Sequence, residues 1–286
     1  MQQTSALFSG CPMWHMDAWT GTLFPASSGQ GQSLYHYSRL FNSVEGNTSF
    51  YQIPDTATLH RWQQSVAENF RFCFKFHQSI SHHKLLSDIE PELDTFLTRF
   101  RPLAAQTGCL MLQLPARFSP AHLGRLEYFL RLLPEDFHYA VEVRHPAFFA
   151  KGEEERQFNR LLMKFGVNRV IMDTRGLFSA PGHQGLLGQV KMKKPRVPVN
   201  VIATGQRPVV RFVGHPELHA NRIFYQSWYA KLQQWLEQGK TPFVFFHQAD
   251  NSQAPWLAEQ FFREWPHSPA PVQLNLPRLS SQESLF

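Results

Sequence analysis

The chain has 286 residues and is 43% hydrophobic with 26 Phe, ample material for one large core. No apolar stretch approaches the roughly 20 residues of a membrane span, and residues 1–10 lack the basic and apolar regions of a secretory signal, so a cytoplasmic protein is expected. A formal charge of +6 and a pI near 9.3 lean toward anionic partners, phosphates or nucleic acid, without singling one out.

Eight short, nearly continuous apolar runs follow in order, at residues 6–11, 43–47, 70–76, 109–114, 139–143, 169–173, 209–213 and 243–246. Unbroken runs rather than clean alternation are the pattern of parallel strands covered on both faces. Helical spacing separates the later ones. It places Leu93, Phe96, Leu97 and Phe100 on one face, then Leu123, Leu126, Phe129, Leu130 and Leu133 after a Ser119-Pro120 start. Phe158, Leu161, Leu162 and Phe165 precede a stop at Gly166, Phe224 to Leu236 line another helix, and a last one begins after Pro255. Eight strands separated by helices predict an α/β chain closed as a (β/α)8 TIM barrel over residues 1–270, with a flexible tail over 271–286. An open doubly wound sheet needs fewer strands and usually carries a glycine-rich phosphate loop, and no such motif is present. Residues 17–32 and 176–208 interrupt the alternation after strands 1 and 6, and both read as elaborated loops on the strand C-terminal face. The second holds the basic run from Lys191 to Arg196 and reads as a pocket cover.

Polar residues that end the apolar strands carry the functional signal. Glu45 and Asn47 share a side of strand 2, Lys75 and His77 of strand 3, and Gln113 ends strand 4. Glu142 and Arg144 share a face of strand 5 with His145 next; Asp173 closes strand 6, Arg211 sits in strand 7 and His247 follows strand 8. Each alone reads as a structural pair or cap, because a buried charge needs a partner or a wet cavity. Together they predict a cationic pocket at the barrel mouth. Lys75, Arg144 and Arg211 suit phosphate or carboxylate, and Glu45 and Glu142 are the candidate acid or base. A metal cluster from Glu45, His77, Glu142, Asp173 and His247 is disfavoured by the interleaved cations, so no metal or cofactor is expected. Cys11, Cys73 and Cys109 have no Cys-x-x-Cys spacing and read as buried free thiols.

Several segments resemble the YecE-like family of bacterial proteins, a domain of unknown function with a TIM-barrel fold. They are Phe41 to Tyr51 (FNSVEGNTSFY), Phe72-Cys73-Phe74-Lys75-Phe76, Gln113-Leu114-Pro115, Val141-Glu142-Val143-Arg144-His145-Pro146 and Arg211-Phe212-Val213-Gly214. The resemblance covers nearly the whole chain and implies the barrel but no reaction. His247-Gln248 stands where the family often has an Asn pair. The barrel is also similar in fold to endonuclease IV-type repair enzymes, which fixes no function.

The chain closes on Gln282-Glu283-Ser284-Leu285-Phe286. This looks like the pentapeptide by which bacterial polymerases and repair proteins dock on the DNA sliding clamp, with Leu285 and Phe286 as apolar anchors and Gln282 at the groove edge. Three functions are therefore open. One is a phosphate-binding accessory factor in DNA transactions; the second is an enzyme acting on a small phosphorylated or carboxylated metabolite through a Glu base. The third is a non-catalytic anion-binding or scaffold protein.

Overall fold

The structure is a computed structural model and describes residues 6–266, 268, 269 and 276. In chain order the elements are β1 (Phe8–Gly10), α1 (Ser33–Leu40), β2 (Ser43–Gly46), α2 (Thr48–Tyr51), α3 (Thr56–Ser65), β3 (Arg71–Lys75), α4 (Glu90–Phe100) and β4 (Thr107–Gln113). There follow α5 (Leu123–Leu132), β5 (Tyr139–Glu142), α6 (Glu153–Lys164), β6 (Asn168–Asp173), α7 (Arg175–Ser179) and α8 (Gly185–Lys193). The chain then runs through β7 (Val209–Val213), α9 (Arg222–Glu237), β8 (Phe243–His247) and α10 (Ala254–Arg263). All eight strands are parallel, in the order β1-β8-β7-β6-β5-β4-β3-β2, and each falls on one of the eight apolar runs. This is the (β/α)8 barrel, with helices outside a nearly closed sheet.

The sheet closes differently between β1 and β2. Side chains do most of the joining there: Asn42 accepts from Ser9 N–H at 2.7 Å and donates to the Leu7 carbonyl at 2.9 Å. The Tyr37 hydroxyl accepts from Cys11 N–H at 2.6 Å and donates to the Ser43 carbonyl at 3.0 Å. Gly10 allows this approach, since a Cβ there would lie 2.0 Å from the Ser43 oxygen.

Strand alternation sorts the core into two shells. Outward residues such as Phe72, Phe74, Phe76 and Phe212 pack against the helices, with Phe74 on Phe100 at 4.8 Å between ring centres and Phe76 on Phe96 at 4.9 Å. Inward residues Cys73, Cys109, Met111, Ala140, Val170, Val209, Phe243 and Phe245 fill the barrel as a separate apolar floor. Burying a Phe side chain contributes about 1.5–3 kcal/mol, so the outer shell dominates the drive to fold.

Two helical segments depart from the sequence reading. Residues 176–208 are not a continuous loop but include part of α7 and all of α8; residues 17–32 hold two 3-10 turns, with Trp19 buried. Helix α8 carries two glycines and no apolar stripe, so periodicity hides it. In the segment read as tail, Leu276 is described, and it is buried in the outer core; Gln282, Leu285 and Phe286 lie outside the described residues. Among the described residues no helix is long and apolar enough to cross a membrane.

Candidate functional site

A step of two residues along each inward face leads from the apolar floor to a polar ring. Cys73 is followed by Lys75, Met111 by Gln113, Ala140 by Glu142, Val209 by Arg211, and Phe245 by His247. Ser43 precedes Glu45 in the same way on β2. Because these positions share the strand period, the ring sits at the C-terminal mouth, where barrel sites form.

Arg211 is its hub. Its Nε and Nη2 bind Glu45 Oε2 and Oε1 at 2.8 and 2.9 Å, and its Nη1 binds Glu142 Oε2 at 2.6 Å. Arg144 Nε closes on Glu142 Oε1 at 2.9 Å. Lys75 Nζ donates to Gln113 Oε1 at 2.8 Å and lies 3.5 Å from Glu45 Oε1. His247 Nε2 meets Glu45 Oε2 at 3.1 Å. Glu45, Arg211, Glu142, His247 and Lys75 are all buried.

Above them opens a cavity of 470 Å³. Its walls include Asn47, Lys75, Gln113, Arg144, Arg211 and His247, joined by Lys193 and Lys194 from the end of α8, with Phe50 and Tyr51 at the edge. Asn47 donates through Nδ2 to the Pro12 carbonyl at 2.8 Å, while its enclosed Oδ1 has no partner among the described residues.

Burial and charge act against each other in this ring. Burial raises both carboxylates, yet Arg211 and the neighbouring cations more than offset it. Glu142 falls to about 2, and Glu45 lies well below the ordinary value, helped by His247 and Lys75. Carboxylates held low in this way and engaged by Arg211 stay ionised near neutral pH, which makes them weak bases there. His247 is driven down to about 3, first by burial and then by Arg211 and Lys194 against the pull of Glu45; it is neutral. The groups left near neutrality are lysines. Burial and Arg211 lower Lys75 to about 8 and Lys194 to about 7, outweighing Glu45 and Glu142.

Five of the residues singled out by sequence do not line the cavity: Glu45 and Glu142 lie beneath it in the ring, and three others stand apart. Asp173 has the opposite strand parity to Met172, so it faces α9 and accepts from Trp228 Nε1 at 2.8 Å and Arg175 Nη2 at 2.7 Å. His145 accepts from Ala147 N–H at 3.2 Å as the cap of the turn Pro146–Phe149. His77 lies against Ser79 Oγ at 2.8 Å and the Tyr51 carbonyl at 3.1 Å, steadying the cavity edge rather than lining it. Lys193 and Lys194 were legible only as part of a basic run. Among the described residues no group of three or more His, Cys, Asp and Glu is arranged to hold a metal ion.

Residues 8–281 match the family model of the proteins of unknown function DUF72. The chain belongs to the DUF72 family. The UPF0759 protein YecE of Escherichia coli strain K12 is 41% identical to this DUF72 chain over 280 residues, 98% of this chain and 100% of that protein. Its counterpart in strain O157:H7 is also 41% identical. Among solved structures, a DUF72 family protein of Thermotoga maritima MSB8 superposes with a TM-score of 0.65 at 20% identity, covering 89% of this chain and 98% of that one. One from Enterococcus faecalis V583 gives 0.62 at 18% identity, covering 91% and 98%. These structural likenesses establish the shared DUF72 fold.

Proposed function

We propose that the barrel mouth binds a small anion of the phosphate or carboxylate type. The observation that carries this reading is a surplus of positive charge: Lys75, Arg144, Lys193, Lys194 and Arg211 line the cavity, and the two carboxylates beneath are already engaged by Arg211. The side-chain amine of Lys194 has no hydrogen-bond or ion-pair partner among the described residues. A cation held partly out of water without a partner is costly, and a bound anion relieves that cost. Arg144 keeps Nη donors for a planar oxyanion, since only its Nε is used by Glu142.

Calorimetric titration with inorganic phosphate, then with a panel of phosphorylated and carboxylated metabolites, tests the reading. Arg144→Gln should weaken binding about tenfold or more, as expected for a lost charged hydrogen bond. Absence of binding by every anion at millimolar concentration would overturn it.

A second proposal concerns partners and rests on sequence alone. Gln282, Leu285 and Phe286 form a peptide suited to the sliding clamp, which would bring the anion site to DNA. Removing residues 282–286 should abolish capture by purified clamp; no capture by the intact chain ends the idea. A cytoplasmic setting belongs to the same proposal, in keeping with three buried free thiols.

A further inference from the structure

We infer that Lys194 is a reactive amine, condensing with the carbonyl of a small aldehyde or keto compound whose anionic group is held by Arg144 and Lys193; this rests on the anion reading above. The ring offers several nucleophiles and bases by residue type, and geometry removes most of them. Glu45 and Glu142 are engaged by Arg211, His247 is turned onto Glu45, and Lys75 is tied to Gln113 and Glu45. Lys194 alone among the buried or partly buried lysines of the cavity has no such tie. Its neighbour Lys191 is not available either, because its ammonium is spent on the Ala180 and Gly182 carbonyls.

The backbone holds Lys194 in place. Its own N–H bonds to the Val190 carbonyl at 3.0 Å, ending α8, and Thr174 Oγ1 donates to the next carbonyl, that of Pro195, at 3.1 Å. The charges acting on the amine come from every side of the mouth: Arg211 of β7, Glu45 of β2, Glu142 of β5 and Lys75 of β3, with Arg144 and Lys193 in the same cavity. Burial and the cations prevail and bring it down to about 7. Near neutral pH about half of it is then a free amine, against less than about one in a thousand for an ordinary lysine. A lysine beside other cations is a known route to an amine nucleophile.

The step balances without an oxidant or reductant. The Nζ lone pair forms a bond to the carbonyl carbon, and the C=O π pair moves to oxygen, which takes one amine proton. The C–O bond then breaks, the oxygen leaves as water with the second amine proton, and a C=N bond remains. Lys75, protonated below about 8, is a cavity group able to relay that second proton, giving its own to the departing oxygen and taking the amine proton in return.

The test treats the full chain with glyoxylate and sodium cyanoborohydride, which fixes an imine as a secondary amine, and maps the adducts by peptide mass spectrometry. Labelling should favour Lys194 over exposed Lys193 and Lys164 at least tenfold, with a rate that climbs as pH passes about 7. Inorganic phosphate should suppress it, and Arg144→Gln should slow it. Lys194→Arg and Lys194→Gln should both abolish it, with thermal melts confirming that they fold, while Lys164→Arg leaves it unchanged. If phosphate binds calorimetrically but labelling is spread evenly over lysines, the amine inference fails and the anion reading stands. If neither phosphate nor glyoxylate binds, both fail. Selective labelling of Lys194 that ignores phosphate and Arg144→Gln overturns the assigned anion holders.

Discussion

Among the described residues two arginines are buried, each against carboxylates, and they end in different situations. Arg169, on the outward face of β6, donates through Nη1 to Glu155 Oε1 at 2.9 Å and Asn159 Oδ1 at 2.8 Å, and through Nη2 to the Phe148 carbonyl at 2.7 Å. Asn200 and the Lys151 N–H complete the bonding of Glu155 at 2.6 and 2.8 Å, and the rings of Phe149 and Phe158 flank the guanidinium. One cation meets one anion there, both Nη atoms and both carboxylate oxygens are engaged by protein, and the long connection to β7 is anchored through Asn200. Arg211, on the inward face of β7, binds two carboxylates and is still surrounded by further cations facing open space. The first network closes on itself; the second leaves charge over, which is what the proposed anion site needs. The contrast comes from strand parity as much as from residue type.

Removing each hub should separate the two most strongly. Arg211→Met takes the shared cation from two buried carboxylates, leaving Glu142 to Arg144 and Glu45 to Lys75 and His247, and Arg169→Met takes it from one, so both fall in the range of about 3–5 kcal/mol for broken buried pairs, Arg211 at the upper end. Urea unfolding measures this. Replacing the smaller network entirely, as Arg169→Met with Glu155→Leu, should recover most of the loss, whereas equal costs for both single variants would erase the distinction.

Acid provides the next largest effect. Glu142 is depressed to about 2, so the stability it contributes is fully present above its ordinary value of 4.5 and is lost as pH falls through 2. This amounts to roughly 3 kcal/mol. His247, depressed to about 3, acts in the same direction, because below its ordinary 6.5 the unfolded chain binds the proton first. Unfolding free energies at pH 7, 5 and 3 should fall steeply in the native chain and less in Arg211→Met.

Much of this arrangement was legible in the sequence, for identifiable reasons. The strands announce themselves because both faces are covered, and Glu45, Lys75, Gln113, Glu142, Arg144, Arg211 and His247 stand out as charges and amides where apolar runs end. Asp173 and His145 looked the same, but the parity of Asp173 points it at α9 and His145, past the end of β5, caps a local turn, and residue type does not reveal that. Helices α1 and α3 were missed because their buried residues are few and embedded in polar sequence. Lys194 is the harder case. The segment reads as a pocket cover, but which of its basic residues enters the cavity depends on how α8 folds back over the mouth, and the basic run alone does not single one out.

A smaller effect runs on the alkaline side. A partly buried lysine lowered to about 7 destabilises the fold most below that value, and the penalty is relieved as pH rises toward its ordinary 10.5. Lys194→Met should therefore stabilise the protein by about 1 kcal/mol at pH 6 and less at pH 9, seen as converging melting temperatures. No gain at pH 6 would mean that the charge surplus at the mouth costs nothing, removing the contrast with Arg169. The smallest change belongs to exposed pairs such as Arg156 with Glu153, 60% and 50% exposed, where Arg156→Ala should cost no more than about 0.5 kcal/mol.

The closure between β1 and β2 bears on the mouth as well. Where other neighbouring strands share backbone ladders, the amide protons of Ser9 and Cys11 are guarded by the Asn42 amide and the Tyr37 phenol. Their exchange with solvent deuterium should therefore follow rotation of two side chains as well as strand separation, and Asn42→Ala should speed it at Ser9. One strand over, the Glu45 amide bonds to the Cys11 carbonyl at 3.0 Å, so the carboxylate that anchors Arg211 stands on the edge held by that latch. Wall breathing at a single seam would then be felt first at the charged ring, leaving the apolar floor undisturbed.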